Sequence, residues 1–153
     1  MNYIEKVSEF HKTFKAPILE TPQIPSKERC ELRISLLQEE LNELKEAIEN
    51  NDLVEVADAF TDLQYVLSGA ILEFGLSDKF NKLFDEVQRS NMSKACKTEQ
   101  EAIETLLHYK KKDGTEGTYK MINGKWVVYR NGDSKVLKSI NYSPVNLSDI
   151  INE

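Results

Sequence analysis

The chain has 153 residues, of which 40% are apolar and 30% are charged, a composition typical of a globular protein with one core. Its formal net charge of -6 argues against general binding to nucleic acid, because phosphate backbones attract basic surfaces. The two cysteines are far apart and match no metal-binding spacing, so we expect a reduced, cytoplasmic protein. The longest apolar run, residues 65–76, is too short to span a bilayer, so no membrane partner is expected.

The first half of the chain reads as a series of helices. Apolar positions with helical spacing predict a first helix over residues 3–14. Three prolines follow between positions 17 and 25 and predict an extended segment. Ser26 is placed to cap a second helix over residues 27–49.

Two further helices are predicted before position 90. Asn50 and Asn51 break the second helix, and Asp52 is placed to cap a third helix that ends near Phe74. Gly75 is a helix stop, and Ser77 is expected to cap a fourth helix that runs to about Arg89.

The chemistry of the chain changes after a fifth helical pattern over residues 98–109. Asn123-Gly124 lies between short Tyr/Ile and Trp/Val/Tyr runs, which predicts a β-hairpin in which Trp126 contributes packing. Asn131-Gly132 turns the chain again, and residues 147–151 are expected to form a helical turn. We therefore predict an all-α fold, a four- to five-helix antiparallel bundle over residues 1–94, with a C-terminal extension of helix, β-hairpin and basic tail over residues 95–153.

Two acidic clusters stand out on the second and third helices. Residues 38–64 hold nine carboxylates and one lysine. At about 100° per residue, Glu39, Glu40 and Glu43 share an arc of the second helix with apolar side chains. Glu55, Asp58 and Asp62 repeat this arrangement on the third helix, which the short linker should place antiparallel to the second.

Burial of so many carboxylates between two helices requires a cation. An unpaired buried carboxylate costs several kcal/mol, and basic residues within these helices are nearly absent. A hard divalent cation with oxygen ligands resolves the conflict, and Mg²⁺ in particular shares its coordination shell with substrate phosphates. The alternative is a solvated acidic face, which is common for one such cluster but less so for two on adjacent apolar helices. Histidine is too scarce for a di-iron bundle, and the loops do not match an EF-hand.

E-E-L-N-E at 39–43 and E-V-A-D at 55–58 together resemble the E-E-x-x-E…E-x-x-D pattern of the all-α nucleoside triphosphate pyrophosphohydrolases. This MazG-like superfamily includes dimeric dUTPases and phosphoribosyl-ATP pyrophosphohydrolases. F-x-E-V-x-R-S-N-M-S-K at 84–94 and the tail D-S-K-V-L-K-S-I-N-Y-S-P at 133–144 are similar to one branch. In that branch the tail follows soon after N-M-S-K, whereas here residues 95–132 intervene, so the path of the tail is open.

The resemblance implies hydrolysis between the α and β phosphates of a nucleoside triphosphate, expected to be a deoxynucleotide, to give the monophosphate and pyrophosphate. The matching residues would hold Mg²⁺, with Mn²⁺ as a substitute: Glu40, Glu43, Glu55 and Asp58. Glu39 is the candidate for orienting or deprotonating the attacking water, and Asp62 for an outer-shell ligand.

Basic side chains are also needed to balance the negative charge of the substrate phosphates. Asn91 and Lys94 match positions that resemble nucleotide-contacting ones, and Arg89 is a further candidate. Residues 105–140 carry eight Lys/Arg against three Asp/Glu, which suggests that Lys135 and Lys138 close over the site from the tail. For Lys94 and Arg89 the alternative is a cation that interacts with the dipole of a helix C-terminus.

Three functional interpretations remain open on these residues. The first is a magnesium-dependent pyrophosphohydrolase that clears unwanted nucleotides, with phosphoribosyl-ATP as an alternative substrate. The second is a nucleotide-binding or regulatory protein on the same fold with little turnover. The third is a module whose acidic helices bind a basic partner. Because the apolar faces exceed what one small bundle can bury, we expect a homodimer or homotetramer.

Overall fold

The computed structural model describes residues 3–153 and is mostly helical, with one two-stranded antiparallel hairpin, as the sequence predicts. It divides into two compact units, one ending at Phe80 and the other running from Asn81 to Glu153. None of the helices within the described residues is long and apolar enough to cross a bilayer.

The first unit is built from three helices, α1 (Tyr3–Phe14), α2 (Lys27–Glu49) and α3 (Leu53–Glu73). These bounds confirm the three predicted helices. The α3 helix packs against both α1 and α2, and the extended segment between α1 and α2 bonds to its end, with Leu19 N donating to Leu72 O at 3.0 Å. The α2–α3 pair that carries the acidic clusters is therefore the centre of this unit.

The two ends of α3 are set by a capping residue at its start and by a glycine just after its last turn. Asp52 Oδ1 accepts from Val54 N at 3.0 Å and from Glu55 N at 3.2 Å, as predicted for the N-cap of α3. Gly75 ends α3 with φ +67°, and a side chain there would lie 2.0 Å from Thr21 O. Ser26 occupies the N-cap position of α2, but its side chain makes no capping bond, so its predicted role is wrong.

The second unit begins along α4 (Phe80–Met92), which starts two residues later than a helix capped by Ser77 would and continues past Arg89. Ser77 does not cap it, because residues 77–79 form a turn and the Ser77 hydroxyl faces Asp78 Oδ1 at 3.5 Å. The next helix, α5 (Glu99–Asp113), is capped by Thr98 and runs four residues beyond the predicted end. Three lysines in its last turn favour that extension, because cations stabilise a helix C-terminus.

The predicted hairpin consists of β1 (Gly117–Ile122) and β2 (Lys125–Arg130), paired from Gly117↔Arg130 to Ile122↔Lys125. Asn123 and Gly124 both have positive φ, as a two-residue type I′ turn requires. The hairpin packs on α5 around a small core of Cys96, Ala102, Val128 and Leu137, where Trp126 lies edge-on to Tyr119 as expected for hairpin packing. The helical turn α6 (Ser148–Asn152) closes the chain.

Candidate active site

The six predicted acidic residues lie on α2 and α3 of the first unit, but most of them are exposed in the single chain. Glu40 and Asp62 are half-buried, whereas the other four face solvent: Glu39, Glu43, Glu55 and Asp58. The prediction that the two helices bury the whole set is therefore wrong. The reason is that the α2–α3 contact uses a narrower face than the helical arc suggests, and Glu40 is the α2 glutamate nearest to it.

Within the acidic cluster, the surroundings of Glu40 disfavour the charged form of its carboxyl group. Its Oε2 atom is buried and has no hydrogen-bond partner within the described residues. Burial raises the pKa of the Glu40 carboxyl above its ordinary value, and repulsion from Glu43, Asp62, Glu39 and Asp58 raises it further. Carboxylates from both helices thus act on one oxygen for which residues 3–153 offer no hydrogen-bond donor.

The donor chemistry of this cluster fits a hard divalent cation. All of its side chains supply carboxylate oxygens, and an unsatisfied buried oxygen at Glu40 is the kind of atom that a metal ion would satisfy. Across residues 3–153, however, no three acidic, histidine or cysteine side chains are gathered closely enough to hold a metal ion as they stand. Ligation would require rotamer changes, which exposed glutamate side chains make at little cost.

Glu39 and Glu43 also line a shallow groove along the outer side of α2, with a volume of about 600 Å³. Its remaining walls come from the same helix and combine the apolar Ile34 with polar side chains such as Gln38, Asn42 and Glu46. Glu39 is therefore open to water, whereas Glu40 turns toward α3.

The basic residues predicted to bind phosphate lie in the second unit, and they differ in whether a carboxylate already pairs with them. Lys94 Nζ donates to Asn91 Oδ1 at 2.8 Å, so the structure brings these two candidates together. Arg89 instead donates to Glu86 at 2.6 and 2.8 Å and to Pro144 O at 3.0 Å. This ion pair lowers the pKa of Glu86 to about 2 and leaves Arg89 occupied by a structural contact.

The structure resolves where the tail runs after the inserted residues 95–132. The tail returns to the end of α4, where Ser139 N donates to Lys94 O at 3.0 Å. Side chains on one face of α4 hold the segment that follows: Glu86, Arg89, Ser90 and Ser93. N-M-S-K and the closing segment are therefore adjacent, although a helix and a hairpin separate them in sequence.

This path separates the two tail lysines. Lys138 directly precedes the residue bonded to Lys94, and its Nζ lies 4.4 Å from the centre of the Tyr142 ring. Lys135 lies at the end of the hairpin, where its backbone bonds to Arg130 and Asp133. Of the two tail lysines, only Lys138 is adjacent in sequence to a residue that bonds to the backbone of Lys94.

Sequence reasoning missed a buried polar network in the first unit. Glu73 is fully buried and accepts from Arg29 and Arg33, while Arg33 Nη2 lies 3.2 Å from His11 Nε2. His11 Nδ1 lies 2.8 Å from Pro17 O, so the ring donates there and accepts from the arginine. The spacing of Arg29 and Arg33, one turn apart beside an acid-rich helix, is the signal that could have revealed this network.

A second missed feature is an aromatic cleft of about 430 Å³ between α1 and α3. Tyr65 is 41% exposed and lines this cleft with Tyr3, Lys6 and Phe60. Phe10 contacts the Tyr65 ring edge-on, with 5.8 Å between ring centres.

Two comparisons with known proteins bear on this site. The model of the phosphoribosyl-ATP pyrophosphohydrolase family matches residues 7–91, which include all six acidic residues together with Asn91. An uncharacterized protein, L479, of Acanthamoeba polyphaga mimivirus is 26% identical, and the alignment covers 98% of this chain and 95% of that protein.

Proposed function

Because the chain belongs to the phosphoribosyl-ATP pyrophosphohydrolase family and is thus a pyrophosphohydrolase acting on nucleotide phosphoanhydride bonds, we propose that it hydrolyses a nucleoside triphosphate to the monophosphate and pyrophosphate in a Mg²⁺-dependent reaction. A deoxynucleoside triphosphate is the favoured substrate, and the role is the removal of unwanted nucleotides from the pool. Phosphoribosyl-ATP, the substrate in the name of the family, is the alternative.

The observation that carries the metal dependence is the buried, unpartnered Oε2 of Glu40 amid four other carboxylates. The residues that would hold Mg²⁺ are Glu40, Glu43, Glu55 and Asp58, with Asp62 in support. When bound, Mg²⁺ would supply charge neutralisation for the phosphate oxygens and for the carboxylates themselves. Mn²⁺ has the same preference for oxygen ligands and should replace it.

The protein side chains have distinct tasks in this proposal. Glu39, exposed to water on the outer side of α2, orients the attacking water and accepts its proton. Asn91, Lys94 and Lys138 contact the phosphates with an amide and two ammonium groups, and Lys135 adds positive charge from the hairpin end. Arg89 contributes indirectly, because its bonds to Glu86 and Pro144 hold the tail in place.

We also propose that the protein works as a homodimer or homotetramer. Large apolar side chains are exposed on α2 and α3 in the single chain, including Ile34 at 67%, Leu53 at 80% and Phe60 at 57%. An exposed apolar surface of this kind on a domain is typical of a subunit contact. A second copy covering these helices would also increase the burial of the acidic cluster.

The test is pyrophosphate release from a panel of deoxynucleoside and ribonucleoside triphosphates and phosphoribosyl-ATP, each with Mg²⁺, Mn²⁺ or chelator. We expect release with at least one substrate and none in chelator. Asp58→Asn and Glu43→Gln should lower kcat by a factor on the order of 100 or more while the protein stays folded. Glu49→Gln is the matched control, because it removes an exposed charge from α2 at a residue that belongs neither to the acidic cluster nor to the groove beside it.

Release that persists in chelator would contradict the metal dependence. If no substrate yields pyrophosphate at high enzyme concentration while a triphosphate analogue still binds in calorimetry, the protein is a nucleotide binder without turnover. An unchanged rate in Asp58→Asn would remove that residue from the site.

A further inference from the structure

The side chain of Lys138 is held in place by an aromatic ring that is itself anchored. Its Nζ lies 4.4 Å from the centre of the Tyr142 ring, a distance at which the ring face attracts an ammonium group. The Tyr142 and Ser90 hydroxyls lie 3.1 Å apart, so the tyrosine is fixed to α4. A lysine otherwise samples many rotamers, and this contact limits them.

The same segment brings the backbone that carries Lys138 to the backbone of Lys94. Ser139 N donates to Lys94 O at 3.0 Å, so the residue that follows Lys138 is bonded to the backbone of Lys94. Lys94 is half-buried and its Nζ donates to Asn91 Oδ1 at 2.8 Å. The Asn91 oxygen is therefore occupied, which leaves its amide NH₂ group as a donor.

These two lysines lack carboxylate partners. Neither forms an ion pair with any residue in the described part of the chain, unlike Arg89, Arg130 and Lys82 in the same unit. The carboxylates closest in the network are engaged elsewhere, Glu86 with Arg89 and Glu101 with Ser139. Two uncompensated ammonium groups beside an amide donor match the oxygens of a phosphate group.

We propose that Tyr142 is a positioning residue, which holds Lys138 beside Lys94 and Asn91 to form a subsite for one phosphate group of a polyphosphate. The phosphate belongs either to the triphosphate substrate or to the pyrophosphate product, which present the same oxygens. The assignment to substrate or product rests on the proposed function, whereas the binding of a phosphate group needs neither turnover nor the acidic cluster.

The experiment is calorimetric titration of the full-length protein with orthophosphate, pyrophosphate and a non-hydrolysable triphosphate analogue, each in chelator and in Mg²⁺. We expect the wild-type protein to bind pyrophosphate in chelator. Lys138→Met and Tyr142→Leu should each weaken that binding by about tenfold, because both remove the ordered ammonium group. Tyr142→Phe keeps the ring and should stay within about twofold of wild type. Lys125→Met, on the hairpin, is the matched control for loss of one exposed lysine and should bind as wild type does.

Two further measurements distinguish the positioning of Lys138 by Tyr142 from a purely structural role of Tyr142. The dependence of pyrophosphate affinity on salt concentration should be shallower in Lys138→Met and in Tyr142→Leu, because one fewer cation faces the ligand. Thermal unfolding of Tyr142→Phe and Ser90→Ala reports the loss of the hydroxyl contact without loss of the ring. If Tyr142→Phe binds as weakly as Tyr142→Leu, the ring does not position Lys138 and the proposal fails.

The same titrations distinguish this proposal from the proposed function. Wild-type affinity in Lys138→Met, or pyrophosphate binding that occurs only in Mg²⁺ and disappears in Glu40→Gln, would overturn the subsite. Metal-free binding with the expected variant pattern would support it even if no nucleotide is hydrolysed. A preference for the triphosphate analogue over pyrophosphate would assign the subsite to substrate, and the reverse preference to product.

Discussion

Arg33 and Glu73 form a buried ion pair that joins α2 to α3, with the Glu73 side chain fully buried and that of Arg33 only 10% exposed. Arg29 adds a second guanidinium, and these contacts lower the pKa of Glu73 although burial acts in the opposite direction. The pair explains why Glu73, within the most apolar helix of the chain, needs no metal ion.

We expect Arg33→Met to destabilise the protein by about 3 kcal/mol, because it leaves the fully buried Glu73 short of one partner. Denaturant unfolding followed by circular dichroism measures this loss. Glu31→Gln, on the exposed side of α2, is the matched control and should change stability by about 0.5 kcal/mol or less. A loss of the same small size in Arg33→Met would show that Arg29 alone satisfies Glu73.

From the unsatisfied Glu40 oxygen we predict that magnesium stabilises the folded protein through this residue. Glu40→Gln removes the central charge of the cluster and should raise the midpoint of thermal unfolding in chelator, because the repulsion from Glu43 and Asp62 disappears. Addition of Mg²⁺ should stabilise the wild-type protein but have little effect on Glu40→Gln. Equal magnesium shifts in both proteins, measured by differential scanning fluorimetry, would place the metal elsewhere.

Glu86 makes a prediction about pH. Its pKa falls from 4.5 to about 2 in the folded protein, mainly through the hydrogen bonds from Arg89 and the backbone N–H of Asn146. A depressed folded-state pKa means that this carboxylate contributes stability above about pH 4.5 and loses it as the pH falls from 4.5 toward 2. The protection factors of the backbone amides in residues 139–146, which compare their exchange with that of an unfolded chain at the same pH, should therefore fall in that window.

Glu86→Gln gives the comparison for this pH effect. The amide keeps a similar shape but does not form the ion pair, so exchange of the tail should already be faster at pH 7 and should depend less on pH. Glu104→Gln, on the exposed side of α5, is the control. A tail whose protection is the same in Glu86→Gln and in the wild-type protein would contradict the role assigned to Glu86.

The N-cap of α3 supports the helix that carries half of the acidic cluster. Asp52→Ala removes the acceptor for Val54 N and Glu55 N and should cost about 1 kcal/mol in the free energy of unfolding. Asp52→Asn keeps an acceptor oxygen and should recover most of that loss. Ser26→Ala is expected to have little effect, since the Ser26 side chain makes no capping bond.

Local signals in the sequence were sufficient for most of the helices and for the hairpin. Apolar spacing and the prolines defined α1 and α2, Asp52 and Gly75 bounded α3, and Asn123-Gly124 located the hairpin turn. These succeeded because caps and tight turns depend on bonds between residues near in sequence. The prediction that Ser77 caps α4 was wrong, because the Ser77 hydroxyl bonds to its neighbour Asp78 and α4 begins only at Phe80.

The chemistry of the acidic residues was also readable from the sequence, because their number and spacing on two adjacent helices do not depend on how the helices pack. The E-E-x-x-E and E-x-x-D spacings lie within the stretch that the family model matches, residues 7–91. Which of these carboxylates is buried was not readable, since it depends on how the two helices are rotated against each other. The structure singles out Glu40 and leaves Glu39 and Glu43 exposed.

The sequence by itself determined most of the helices, the hairpin turn and the spacing of the acidic residues, because each of these follows from residue type and short-range spacing. Only the tertiary structure decided that Glu73 is neutralised by Arg29 and Arg33, 44 and 40 residues away, and that Lys138 returns to Lys94 across an inserted helix and hairpin. Such contacts depend on how distant segments of the chain pack together. A single sequence shows which polar residues are present but not which of them come into contact.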